Sequence, residues 1–286
     1  MGIKLNLGAS PIWSAADWVA LDHKLKSSSS QAIAGSALDI DLPDESCEIV
    51  FCSHVFEHIP HVQLPLVLAE INRILKPNGI LRILTPDLEK VARAYVEKDD
   101  HFFRLAKEED ESLRGDLGYG GMLMNFIVSP GQDTALLDRS LNKFIAGYAH
   151  LYSYDYDMLK IMMTQLGYST RKAEFCDSVI DEMKVPLHVE GFAPIWQNFN
   201  QEFYKKNNLI HKLVDGKYHI NFKVTGFDRD PLTSLIIEAQ KKENIDKEVS
   251  HNIFNLSENN YNRYAWSLLK DEDFAAKLES LGMKID

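Results

Sequence analysis

The sequence predicts an α/β fold, an open and mostly parallel sheet with helices on both faces. Three observations predict it. The first ninety residues alternate short apolar runs with helix or loop patterns, the habit of β-α-β units. Glycine or polar residues follow each run, and an amphipathic stretch from Pro60 to Lys76 supplies a crossover helix. With 286 residues, the chain can bury one large core, or one core and a smaller lobe.

The elements follow in order. Ile3 to Leu7 reads as a strand that breaks at Gly8, and Trp18 to Leu21 as a second that ends at Asp22. A short third strand is expected near Ala37-Leu38, and Glu48 to Cys52, β-branched and aromatic, reads as a fourth. In the stretch after Pro60, Val62, Leu66, Ala69, Ile71, Ile74 and Leu75 recur every three or four residues, with Glu70, Arg73 and Lys76 mostly opposite. Pro77-Asn78-Gly79 is expected to stop that helix and turn into a strand at Ile80 to Leu84, ending at Thr85-Pro86-Asp87. Leu88 to Glu111 reads as an acidic, solvated helix, and Gly115 to Gly121, with four glycines, as a flexible loop. Residues 155–166 resume a helix closed by Gly167, and Thr233 to Ala239 is a further strand.

The organisation expected is a core over 1–185, an insertion over 186–222, a return to the sheet over 223–241 and a helical extension over 242–286. The insertion is aromatic-rich, with Phe192, Trp196, Phe199, Phe203, Tyr204, Tyr218 and Phe222, and reads as an ordered lid or acceptor lobe.

Charge and composition exclude partners. A net charge of −11 repels a polyphosphate, so no nucleic acid is expected. No run approaches the roughly 18 apolar residues of a membrane span, so no membrane is expected either. Met1-Gly2-Ile3-Lys4 runs straight into a strand pattern without a charged and then apolar leader, which points to the cytoplasm. Cys47, Cys52 and Cys176 have neither a disulfide count nor zinc spacing, and read as inert core thiols. Self-association into a homo-oligomer stays open.

In an open parallel sheet, ligands bind outside the carboxyl ends of the strands. Those ends are polar here. Asn6-Leu7-Gly8-Ala9-Ser10 closes the first strand, where glycine lets the backbone approach a ligand. Asp22 suits the two hydroxyls of a ribose, Asp39 an exocyclic amine, and Ser53-His54 follow the fourth strand. Together they describe a nucleoside-shaped site. His54-Val55-Phe56-Glu57-His58 also spells HxxEH, a zinc signature that belongs inside a long helix. It follows a strand here, so no metal is expected, and Glu57 and His58 read as polar residues of a helix start.

The pattern resembles class I S-adenosylmethionine-dependent methyltransferases, in particular a bacterial, type 11-like group. The matching text is Leu42 to Ser46, Ser53-His54-Val55-Phe56-Glu57-His58-Ile59, Glu70 to Gly79 and Thr85-Pro86-Asp87-Leu88-Glu89. It resumes at Ser140 to Phe144, His150, Tyr154-Asp155-Tyr156, Leu159 and Leu166-Gly167-Tyr168, and again at Asp228-Arg229, Ser234-Leu235 and Glu238-Ala239. The resemblance implies a Rossmann-like fold with S-adenosylmethionine as cofactor. It implies that Asn6, Gly8 and Ala9 lie against the methionine moiety, that Asp22 with His23 holds the ribose, that Asp39 and the backbone of Ile40 read adenine, and that Ser53 and His54 line the methionine side. The first loop departs from the family, which carries an acid and more glycines where this chain has Asn6, Ala9 and Ser10.

A protonated acceptor calls for a general base, and His150 and His54 are the candidates. Tyr152, Tyr154, Arg229 and Trp196 are candidates to line the acceptor pocket. The reaction expected is metal-free, in-line transfer to oxygen, less readily to nitrogen, of a small molecule or glycan precursor. A second reading is a non-catalytic member that keeps the fold as a binding or assembly protein. A nicotinamide-dependent oxidoreductase is disfavoured because no GxGxxG follows the first strand.

Overall fold

Strands inside a parallel sheet are covered on both faces, so they are apolar along nearly their whole length. The computed structural model describes residues 2–9, 15, 17–109, 118–128, 150–184, 210–214, 217–220, 227–228, 232–245 and 252. In it, β1 (Ile3–Leu7) buries Leu5, Asn6 and Leu7. β2 (Trp18–Asp22) and β3 (Ala32–Ala34) follow, and β4 (Cys47–Ser53) buries Cys47 and Ile49 through Cys52. Next come α1 (Leu64–Ile74), β5 (Leu75–Pro86), α2 (Leu88–Glu97), α3 (Asp100–Glu109) and α4 (Gly118–Val128). The chain then gives α5 (Tyr156–Gln165), β6 (Tyr168–Ala173), β7 (Ile210–Val214), β8 (Lys217–Ile220) and β9 (Ser234–Lys241).

Seven strands form one sheet of order β3-β2-β1-β4-β5-β9-β6, while β7 and β8 pair with each other as an antiparallel hairpin. β1 to β5 pair in parallel, and β9 runs antiparallel to both β5 and β6. This is the doubly wound order with one reversed strand inserted near its edge. The winding changes direction between β1 and β4, so a crevice opens at their carboxyl ends. One face of the sheet packs Leu5, Leu7, Val50, Cys52, Leu81 and Ile83 on α1 and α5. The other packs Trp18, Ile49, Phe51 and Leu84 with Met183 and Phe227.

Several elements differ from the sequence expectation. The third strand is Ala32–Ala34, and Ala37-Leu38 sits instead in a turn closed between Ser36 and Asp39, where the Ser36 hydroxyl accepts the Leu38 amide. α1 stops at Ile74, because Leu75 already pairs with Cys47; the register then shifts so that Ile49 meets Ile80. Pro77-Asn78-Gly79 is thus an irregularity within β5, not a helix stop. Leu88 to Glu109 is two helices, since Lys98 takes a left-handed conformation and ends α2. Gly118 begins a helix where a loop was expected. Met122 and Phe126 of α4 pack on Val91 and Ala94 of α2 and on Phe102 and Phe103 of α3, which outweighs the cost of helical glycine.

Two buried cations hold the far side of the sheet. Arg82 of β5 is fully buried and donates to Asp228 at 3.0 and 2.5 Å and to Glu238 at 2.7 Å. Glu238 stands opposite both Arg82 and Arg171 in register, so positive, negative and positive side chains form a row across β5, β9 and β6. Lys241 of β9 donates to the carbonyls of Asn72 and Leu75 at 2.8 and 2.7 Å, capping the end of α1 where the helix dipole favours a cation. Replacing Arg82 by Leu leaves the buried Asp228 without its counter-charge and Glu238 with Arg171 alone. Urea unfolding of Arg82→Leu is expected to show a loss of about 3–5 kcal/mol.

Candidate active site

The parallel register brings three strand ends to one level, since Leu7 stands beside both Leu21 and Cys52. Gly8, Asp22 and Ser53, the next residue on each strand, therefore share one rim. The amides of Gly8 and Ala9 both point at the Leu21 carbonyl, at 2.7 and 3.2 Å. Gly8 has φ +77°, and a Cβ there would stand 2.3 Å from Val55 Cγ2, so only glycine lets the loop pass so close to the segment after β4. Asn6 is buried within β1.

Asp22 is 6% exposed, and its Oδ1 accepts the Lys24 amide at 2.7 Å. His23 is exposed, with Nδ1 3.6 Å from that same oxygen. Ser53 Oγ is buried and has no hydrogen-bond partner among the described residues. An orphaned hydroxyl beside a glycine turn, with a strand-end carboxylate on the strand beyond it, fits a ligand rich in hydroxyl and amine groups, as the adenosyl cofactor is. Asp39 is exposed and lies five residues past the end of β3. The Ile40 amide is already donated to Glu70 Oε1 at 2.8 Å, and Arg73 clamps that carboxylate, so this amide is taken before any base could meet it.

His54 leaves β4 in the left-handed region, with φ +52°. A bulky residue held there is strained, and such strain gathers at functional sites. Its amide donates to the Leu84 carbonyl at 2.8 Å. Nδ1 lies 3.1 Å from Glu57 Oε1, and Nε2 lies 3.2 Å from Ser234 Oγ.

Glu57 is not the helix-start polar residue that the sequence suggested. It sits in a single 3-10 turn, Phe56–His58, and is 1% exposed. Thr85 Oγ1 donates to its Oε2 at 3.1 Å. Burial alone would push its carboxyl up, yet the imidazoles of His54, His58 and His150 hold it down at about 2, so it stays ionised. Its carbonyl accepts the amides of Leu151 at 2.6 Å and Tyr152 at 3.3 Å, which ties the 150–152 segment to this turn.

His150 is brought edge-to-face with His58, their ring centres 5.0 Å apart. Its Nδ1 lies 2.8 Å from the Phe126 carbonyl. A carbonyl only accepts, so Nδ1 carries the proton and Nε2 the lone pair. Burial lowers its basicity, against the pull of Glu57 and the Phe126 carbonyl. Tyr152 is partly exposed and stacks on His61, with centroids 4.1 Å apart. Tyr154 has no exposed surface; it packs in the main core, its buried hydroxyl without a hydrogen-bond partner among the described residues. Ser10, Trp196 and Arg229 lie outside the described residues. The sequence signal for Glu57 is HxxEH, but the spacing pairs His54 with His58, whereas the fold pairs His58 with His150.

Residues 14–83 match the family model described as a methyltransferase domain. The match runs from just before β2 into β5 and includes Asp22, Asp39, Ser53 and His54. No curated protein matches the chain. Among solved structures, an S-adenosylmethionine-dependent methyltransferase from Archaeoglobus fulgidus is similar at 14% identity, covering 84% of this chain and 86% of that one, with a TM-score of 0.36. Another from Mesorhizobium loti is similar at 10% identity, covering 84% and 91%, with a TM-score of 0.40. The segment that is similar to a methyltransferase domain, residues 14–83, supplies β2, β3, β4 and most of β5 of the doubly wound sheet, and the fold is Rossmann-like.

Proposed function

We propose that the enzyme methylates an oxygen of a small molecule or glycan precursor, with His54 as the base that takes the acceptor's proton. The observation that carries the reading is the His54–Glu57 pair at the carboxyl end of β4: a strained, partly exposed imidazole backed by a buried, ionised carboxylate. A carboxylate at Nδ1 favours the proton there, leaves Nε2 as the basic nitrogen and balances the charge once Nε2 is protonated. Ser234 Oγ, 3.2 Å from Nε2, occupies the direction from which a hydroxyl donates. An oxygen acceptor starts protonated and so benefits from such a base.

The cofactor residues of this reading are Asn6, Gly8 and Ala9 toward the methionine end, Asp22 with His23 at the ribose, Asp39 at the base, and Ser53 with its buried hydroxyl. Bound S-adenosylmethionine supplies an electrophilic sulfonium methyl group, open to in-line displacement. The chain's own contribution is to align the acceptor oxygen with that methyl and to take its proton. The net charge of −11 supports a small acceptor over a nucleic acid. Among the described residues no helix is long and apolar enough to cross a membrane. A cytoplasmic setting belongs to the proposal, and the three buried free thiols suit a reducing compartment. Residues 186–222 are assigned to the acceptor side.

Calorimetric titration of S-adenosylmethionine is expected to show binding to the wild type and about 10–100-fold weaker binding to Asp22→Ala, the worth of hydrogen bonds to a charged group. Equal affinity in the two proteins overturns the ribose assignment. Release of S-adenosylhomocysteine across panels of hydroxyl and amine acceptors tests the chemistry. Turnover is expected with hydroxyl compounds, and His54→Gln is expected to lower kcat by about 10²–10⁴ with cofactor affinity unchanged. Turnover confined to amines, or a full rate in His54→Gln, removes the reading. Deletion of 186–222 is expected to abolish turnover while cofactor binding persists.

A further inference from the structure

We propose that Glu57, His58 and His150 form a binding site for a divalent transition-metal ion of the zinc class, opening on the acceptor side of the rim. Glu57 is buried and both histidines are half-buried, and one ligand atom from each comes within 4.8 Å of the others. An ion centred among them needs each side chain to close by roughly 0.7 Å at most to reach ligand distances of about 2.0–2.2 Å. Two imidazoles and a carboxylate are the donor set of catalytic zinc and related sites, which keep a further position open.

The surroundings hold the three groups as a metal site needs. The Phe126 carbonyl fixes the Nδ1 proton of His150 and directs Nε2 as the donor atom. Thr85 Oγ1 orients the Glu57 carboxylate through Oε2. The other oxygen, Oε1, is buried and accepts no well-directed hydrogen bond among the described residues, though His54 Nδ1 stands 3.1 Å away as an ion-pair partner. Such outer partners set the direction of metal ligands and tune their basicity. The backbone does the same for the segments: His58 follows Glu57, His150 precedes Leu151, and the Leu151 amide is bonded to the Glu57 carbonyl. The two histidines are therefore 92 positions apart in sequence but fixed to one turn. The open position takes an oxygen donor, either water or the acceptor hydroxyl. That last step rests on the methyltransferase reading, whereas the metal site itself does not.

The test uses the full-length, tag-free protein, stripped with a chelator and titrated with cobalt(II) alone. Visible d–d absorption saturating at one equivalent, and displaced by zinc, is expected. His58→Ala and His150→Ala are each expected to weaken cobalt binding by more than about 100-fold, beyond the usual effect of losing an outer partner. His61→Ala, which removes a neighbouring imidazole outside the cluster, should leave the titration unchanged. The wild type gives a reading that needs no variant to fold: two hyperfine-shifted imidazole N–H protons, one exchanging slowly because the Phe126 carbonyl covers it. No saturable band, a band that survives both ligand substitutions, equal weakening by His61→Ala, or the absence of shifted imidazole protons overturns the site. S-adenosylmethionine titrated into the same stripped protein reports separately on the cofactor reading. Cofactor binding without a cobalt response sinks the metal site alone, and a cobalt response without cofactor binding sinks the cofactor reading alone.

Discussion

A carboxylate that stays ionised inside a protein must be surrounded by groups that repay its lost hydration, and Glu57 organises the rim in that way. Its side chain engages Thr85 from β5 and His54 from the end of β4, while its carbonyl takes the amides of Leu151 and Tyr152. One residue thus joins the two central strands to the segment that leads into α5. His58 and His150 stand where they do because the backbone on either side of them is bonded at this point. The rim chemistry is consequently one connected unit, and changes at Thr85 or Leu151 reach the imidazoles without touching them.

The sheet carries a second charged system on its other flank, built on different terms. Arg82, Glu238 and Asp228 are nearly or wholly removed from water, and Arg171 and Asp177 extend the set toward solvent. Breaking such a network costs more than its formation contributes, because what remains is an unpaired charge in a low-dielectric interior. Its value lies in fixing register: Glu238 meets both arginines only if β9 enters between β5 and β6 in one alignment. The cofactor rim lies at the ends of β2, β1 and β4, and this network spans β5, β9 and β6, so the two occupy different halves of one continuous sheet.

How much could be read beforehand follows from burial. β1, β2 and β4 were legible because strands covered on both sides are apolar along their length, and the glycine and acids that follow them mark the rim. β3 was misplaced because Ala32-Ile33-Ala34 is too short and too small in side chain to stand out. β6 was missed altogether: Tyr168-Ser169-Thr170-Arg171-Lys172-Ala173 buries only its two ends, as an edge strand does, and leaves no apolar run. Arg82 is embedded in the apolar run Ile-Leu-Arg-Ile-Leu, and only the partner strand 156 residues later explains it. Asp22 and Ser53 were found at the rim because strand ends are local features. The pairing of His58 with His150 was hidden because it depends on a backbone contact that no spacing rule encodes.

The place of Lys241 bears on how the polypeptide reaches this arrangement. Its ammonium sits on the last carbonyls of α1, although some 165 residues of chain separate the two, and the strand that delivers it lies between β5 and β6. During synthesis the amino-terminal half emerges with that helix end uncapped and with the outer edge of β5 unpaired. The sheet closes only when a late segment threads into an interior slot, so the slow, topologically distant event is also the one that locks the early half. Until then, the bare edge of β5 is the surface most in need of protection from aggregation.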